Sequence, residues 1–127
     1  MKAVNMLSSI LENVGALSGG RLEPRKVAEL LHVPLEGVAA LARTHRNTLS
    51  RTPDSHHVQA GLSAIVRILV RASQVMGGDG AADRAVLWFK NQPLSGFGGK
   101  TAMDLVREGK ADAVLEHLAM LEDGVYA

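Results

Sequence analysis

Residues 35 to 51 read LEGVAALARTHRNTLSR, and the polar side chains among them are types that contact nucleic acid. Arginine suits guanine edges and phosphate, asparagine suits adenine, and serine or threonine suit either base or phosphate. Two short helices are expected here, Leu35 to Ala42 and Arg46 to Arg51, separated by a break at Arg43-Thr44-His45. Ala39 is small enough to let the two approach, and Leu49 turns inward from the second. This has the outline of a helix-turn-helix, whose second helix often occupies the major groove. It would present Arg46, Asn47, Thr48, Ser50 and Arg51, with Arg43 at its entry. The same outline is also an ordinary way to pack three helices, and the turn lacks the glycine that such turns often contain.

The charge distribution agrees with an anionic partner for this part of the chain. Ala40 to Arg71 carries five arginines against Asp54 alone, whereas Ala72 to Ala127 carries five basic and eight acidic residues. Overall charge is only +1, so the asymmetry points to different partners for the two halves. Arg67 and Arg71 lie four apart on one helix face. They read either as a solvated face or as a surface for an acidic partner or phosphate.

Other chemistry is hard to assemble. Five histidines, His32, His45, His56, His57 and His117, stand without cysteine or carboxylate at ligand spacing, so surface or capping roles are expected and no metal or cofactor. Asp79, Asp83, Asp104 and Asp112 are spaced as caps and polar faces, with no acid–base pair and no nucleophile beside a base. The Gly77-Gly78-Asp79-Gly80 and Gly96-Phe97-Gly98-Gly99-Lys100-Thr101 runs lack the preceding strand of a phosphate loop, and the first also lacks its Lys-Ser/Thr ending. No enzymatic activity is expected. The chain has no cysteine, which suits a cytoplasmic protein. Its longest apolar segment, Leu62 to Met76, contains two arginines and is too short to span a bilayer.

Few aromatics and an abundance of Ala and Leu predict an all-α fold. Val4, Leu7, Ile10, Leu11, Val14 and Leu17 have helical spacing, ending at Ser18-Gly19-Gly20. Pro24 opens the next helix, which stops before Val33-Pro34. Ser55 can cap a long helix from His56 to Met76, whose apolar residues recur at three- and four-residue steps. A further helix, Ala81 to Asn91, brings in Trp88 and Phe89, around which a small core is expected. Pro93 stops it, and Gly96, Gly98 and Gly99 permit a tight reversal. Thr101 or a neighbour can cap a short helix, with Asp104 complementing its N-terminus; Gly109 ends that helix and Gly124 the last one. The expected organisation is an N-terminal helical region over 1–54, a connecting core helix over 55–78 and a C-terminal domain over 79–127.

The order Ala85…Trp88-Phe89…Pro93-Leu94…Gly98-Gly99-Lys100-Thr101…Asp104-Leu105-Val106…Gly109…Val114…Leu118…Gly124-Val125-Tyr126-Ala127 resembles the toxin-binding domain of Xre/MbcA/ParS-type antitoxins. One departure is Ala102, where that family commonly has proline. The resemblance implies the antitoxin of a type II toxin–antitoxin pair, with a RES-type toxin that consumes NAD as partner. It implies steric inhibition, with Gly124, Val125, Tyr126 and Ala127 docking at the toxin's active-site entrance. Trp88, Leu94 and Gly99 would hold the domain's shape. It also implies autorepression at operator DNA and assembly as homo-oligomer and as hetero-oligomer with the toxin. The alternative is a stand-alone helix-turn-helix transcriptional regulator whose C-terminal part only dimerises.

Overall fold

A computed structural model of the protein describes residues 21–124, and the regular elements among them are helices. The helix expected over residues 3–17, the Ser18-Gly19-Gly20 break and the residues Val125, Tyr126 and Ala127 lie outside the described range. In order the helices are α1 (Pro24–Leu31), α2 (Leu35–Leu41), α3 (Arg46–Arg51), α4 (His56–Met76), α5 (Ala81–Asn91), α6 (Ala102–Arg107) and α7 (Ala111–Glu122). These bounds follow local chemistry. Pro24 sits in the first turn of α1, where its missing N–H would have had no intrahelical partner. Ser55 caps α4 by accepting from the Val58 N–H at 3.2 Å.

Three helices stop in the same way. At the ends of α1, α2 and α6 a left-handed residue is followed by one whose N–H reaches back five residues: Val33 to Ala28, Thr44 to Ala39 and Lys110 to Leu105. The left-handed positions are His32, Arg43 and Gly109. Only the last is the glycine that such a stop favours.

α4 is the spine. Val58, Leu62, Ile65, Val66, Ile68, Leu69 and Ala72 are buried on it, and the chain then bends by 117° so that α5 packs back along it. α7 packs against α4 as well, while α2 contacts α3, α4 and α6. One buried cluster runs from Leu22 to Leu118. The aromatic expectation divides here. Phe89 is completely buried and is the largest fully enclosed side chain, whereas Trp88 is half-buried at the edge of the cluster. Adjacent residues on a helix point about 100° apart, so one of the pair faces the core and the other its margin.

Cross-ties join the N-terminal helices to the C-terminal ones. Lys90 Nζ donates to the Leu31 carbonyl at 2.8 Å, placing a cation at the C-terminus of α1. In the opposite sense, Arg43 Nη1 donates to the Arg107 carbonyl at 3.1 Å, at the C-terminus of α6. Arg71, half-buried on α4, pairs with Glu122 on α7 at 2.9 Å. Of the two roles considered for it, the acidic partner is thus supplied by the chain itself. Among the described residues no single helix is long and apolar enough to cross a membrane.

Candidate functional site

The α2–turn–α3 unit is built around two close approaches. α4 passes so near the end of α2 that a Cβ at Gly61 would lie 2.9 Å from both Cα and Cβ of Ala42. Next in the chain, Arg43 adopts φ 57 where glycine is normally used. For an L-residue that conformation costs about 1–2 kcal/mol. Several contacts offset the cost: the Arg43 N–H donates to Ala40, its carbonyl meets His57 Nε2 at 3.2 Å, and its guanidinium covers Gly109 and bonds the Arg107 carbonyl. The glycine missing from the turn is therefore replaced by an arginine anchored from outside it.

α3 follows with Leu49 fully buried and Arg46, Asn47, Thr48, Ser50 and Arg51 all exposed. By helical spacing Asn47 and Arg51 project opposite Leu49, Arg46 and Ser50 flank them on one side, and Thr48 lies on the other. Arg46 Nε stands 3.4 Å from a Glu36 carboxylate oxygen, an exposed pair of little worth that a phosphate could replace. Of the six side chains expected to contact DNA, five lie together on α3. Arg43 is directed instead toward α6 and α7.

The C-terminal unit is organised by the loop between α5 and α6. It is closed by bonds from the Leu94 N–H to the Lys100 carbonyl at 2.9 Å, Phe97 to Leu94 at 3.3 Å and Lys100 to Phe97 at 3.2 Å. Gly96, Gly98 and Gly99, with φ of 85, 64 and 87, make the reversal, as expected. A capping box then starts α6: Thr101 Oγ1 accepts from the Asp104 N–H at 3.1 Å, and Asp104 Oδ2 accepts from the Thr101 N–H at 3.0 Å. That backbone donor holds the Asp104 carboxyl below its ordinary range. Lys100 bonds Glu108 at 2.8 Å, which with Lys110 depresses the Glu108 carboxyl as well. Lys100 is thereby committed to the domain's own structure, in keeping with a structural role for this glycine run.

The loop presses Phe97 edge-on against His117, with ring centroids 6.3 Å apart and planes at 79°. His117 is buried, which departs from the expectation that the histidines are surface or capping residues. Its placement follows from the loop folding over α7, a contact that spans twenty positions of sequence and leaves no periodic trace. His32 does serve at a helix end, as the left-handed residue of α1. Among the described residues no three His, Cys, Asp or Glu side chains are grouped to hold a metal ion.

Of the expected toxin-contacting residues, Gly124 is described. It is exposed just beyond α7 with φ 74, the helix-ending role foreseen for it. Phe97, His117 and Met120 had no part in the expected site, and the first hint of one is a phenylalanine set among the loop glycines.

Against known proteins, no curated protein and no solved structure matches the chain. Residues 71–124 do match a family, described as the antitoxin Xre/MbcA/ParS C-terminal toxin-binding domain. The matched segment opens within α4 at Arg71, takes in α5, the closed loop, α6 and α7, and ends at Gly124. Residues 71–124 thus match the toxin-binding domain of the Xre/MbcA/ParS antitoxins, a match that supports an antitoxin role with a toxin as partner.

Proposed function

We propose that this protein neutralises a RES-type toxin that consumes NAD, by seating its C-terminal segment at the toxin's active-site entrance. The observation that carries the proposal is the family match over residues 71–124, joined to the resemblance of Gly124-Val125-Tyr126-Ala127 to the family's closing pattern. Tyr126 is the anchor, because an amphipathic aromatic provides much contact area with a polar end. The described domain supports such a mechanism by its rigidity. α7 is held to α4 by the Arg71–Glu122 pair and by the buried Val114 and Leu118. Inhibition is by occlusion, and this chain contributes no catalytic group.

The same protein represses its own operon through α3. The exposed row Arg46, Asn47, Ser50 and Arg51 supports DNA contact, with Leu49 buried behind it. Repression by oligomers, with and without toxin, follows from the family resemblance. If no toxin partner exists, that row favours a stand-alone regulator. Co-expression with the reading frame adjacent to this gene tests the proposal, scoring growth and cellular NAD. Rescue of both by this chain is the expected result. A harmless neighbour, or one that stops growth while NAD stays constant, would overturn the RES assignment.

A further inference from the structure

A pocket of about 210 Å³ lies between the closed loop and α7. Its walls include Ser95, Phe97, Ala113, Glu116, His117 and Met120. The exposed positions of α7 and of the residue that follows it are Asp112, Glu116, Met120, Glu122 and Asp123. Asp112, Glu116, Met120 and Asp123 follow at steps of four, four and three, so they form one stripe along the helix. Glu122 lies off that stripe and is occupied by Arg71. Within a stripe otherwise wholly acidic, Met120 is 42% exposed, one of two large apolar side chains so open among the described residues. Methionine on an open surface is adaptable packing material for a partner.

We propose that this pocket receives an arginine side chain from a basic face of the toxin. The proposal rests on the antitoxin role of the domain and names the surface that performs it. Charge complementarity selects the occupant: a cationic head for Glu116 within an acidic stripe, and an aliphatic stem for Met120 and Ala113. Phe97 lines the pocket beside Glu116, whose carboxylate can accept two N–H donors of a guanidinium. The pocket is already formed. Hydrogen bonds from Leu94, Phe97 and Lys100 close the loop, and the Phe97–His117 contact fixes its depth, so docking orders little that is loose. Met120 also lies one helical turn before Gly124, so this pocket and the C-terminal segment can engage one continuous surface. Leu87 on α5, 60% exposed, is the comparison. Its neighbours three and four residues away are Asp83, Arg84, Lys90 and Asn91, of mixed charge where the Met120 stripe is acidic.

Calorimetric titration of the full chain into the purified toxin encoded beside its gene tests this, with Glu116→Arg, Glu116→Gln, Met120→Ser and Leu87→Ser as variants. All four substitutions lie on the surface, and circular dichroism before each titration verifies folding. Losing a buried charge pair of this kind weakens binding by roughly thirtyfold or more in Glu116→Arg. Glu116→Gln and Met120→Ser are expected to lose about tenfold, and Leu87→Ser less than twofold. Affinity within twofold of wild type for both Glu116→Arg and Met120→Ser would overturn the pocket while leaving the antitoxin role standing. Failure of the unaltered chain to bind the toxin would instead remove that role, and the pocket with it.

Discussion

Gly61→Ala should destabilise this protein, although alanine in a helix interior is ordinarily better than glycine by about 1 kcal/mol. Gly61 lies within α4, where the crossing with α2 leaves a new Cβ 2.9 Å from the Cα and Cβ of Ala42. Carbon atoms pack at about 3.5–4.0 Å, so the helices must separate by roughly 0.6 Å or more. Part of the obstacle is backbone, which cannot rotate aside. Overpacking of this kind costs about 1–3 kcal/mol, which outweighs the propensity gain and leaves a net loss of about 1 kcal/mol. Gly37→Ala is the internal comparison. Its Cβ would meet only side-chain carbons, Val33 at 3.3 Å and Pro34 at 3.9 Å, so a shift of the partly exposed Val33 offsets the propensity gain and the change should lie within about 1 kcal/mol of neutral. Urea denaturation of both variants at constant slope measures the difference. Because Ala42 leads directly into the turn before α3, Gly61→Ala should also weaken operator binding more than toxin binding. A Gly61→Ala protein as stable as Gly37→Ala would refute the crossing.

Arg43→Gly should leave stability within about 1 kcal/mol of wild type, since relief of the left-handed arginine offsets loss of an exposed hydrogen bond, whereas Arg43→Ala keeps the strain that wild type already carries and loses that bond without relief, for a loss of about 0.5–1.5 kcal/mol; thermal melts compare them. Arg46→Ala with Arg51→Ala should abolish operator binding while toxin neutralisation persists, and Arg43→Gly should leave the salt dependence of any DNA binding nearly unchanged, because a lost phosphate contact lowers that slope by about one. Thr101→Ala should cost about 1 kcal/mol through the lost α6 cap, read from the same urea transitions. The depressed Asp104 and Glu108 carboxyls contribute stability that is complete above their unfolded-state range and lost as pH falls through their lower folded-state values. Acid titration of Asp104→Asn should therefore show a shallower decline in stability below the ordinary carboxylate range than wild type.

Helices were legible in this sequence wherever local chemistry announces their ends. The bounds of α4 and α5 follow from the apolar spacing together with Ser55, Gly77 and Pro93, all of which act within a turn of themselves. The start of α6 near Thr101, with Asp104 at its N-terminus, was legible for the same reason, and the structure adds the reciprocal hydrogen bonds. What stayed hidden depends on contacts between distant positions. Arg43 looked like one more cation in a basic segment, because its partner, the Arg107 carbonyl, lies 64 residues away. Arg71 looked solvent-facing until α7 brought Glu122 beside it. His117 sits on a helix whose apolar pattern gives no sign that a glycine loop will fold over it. The pocket arises from that same loop closure, so periodicity could not place Phe97 beside Glu116 and Met120.

The most direct test of the antitoxin mechanism is the rate of NAD loss catalysed by the purified toxin, with the full chain and with a chain ending at Asp123. The full chain should stop NAD loss at stoichiometric ratio. The shortened chain should still bind, through the face of α7, yet leave NAD consumption running. Equal inhibition by the shortened chain would contradict occlusion by the C-terminal segment.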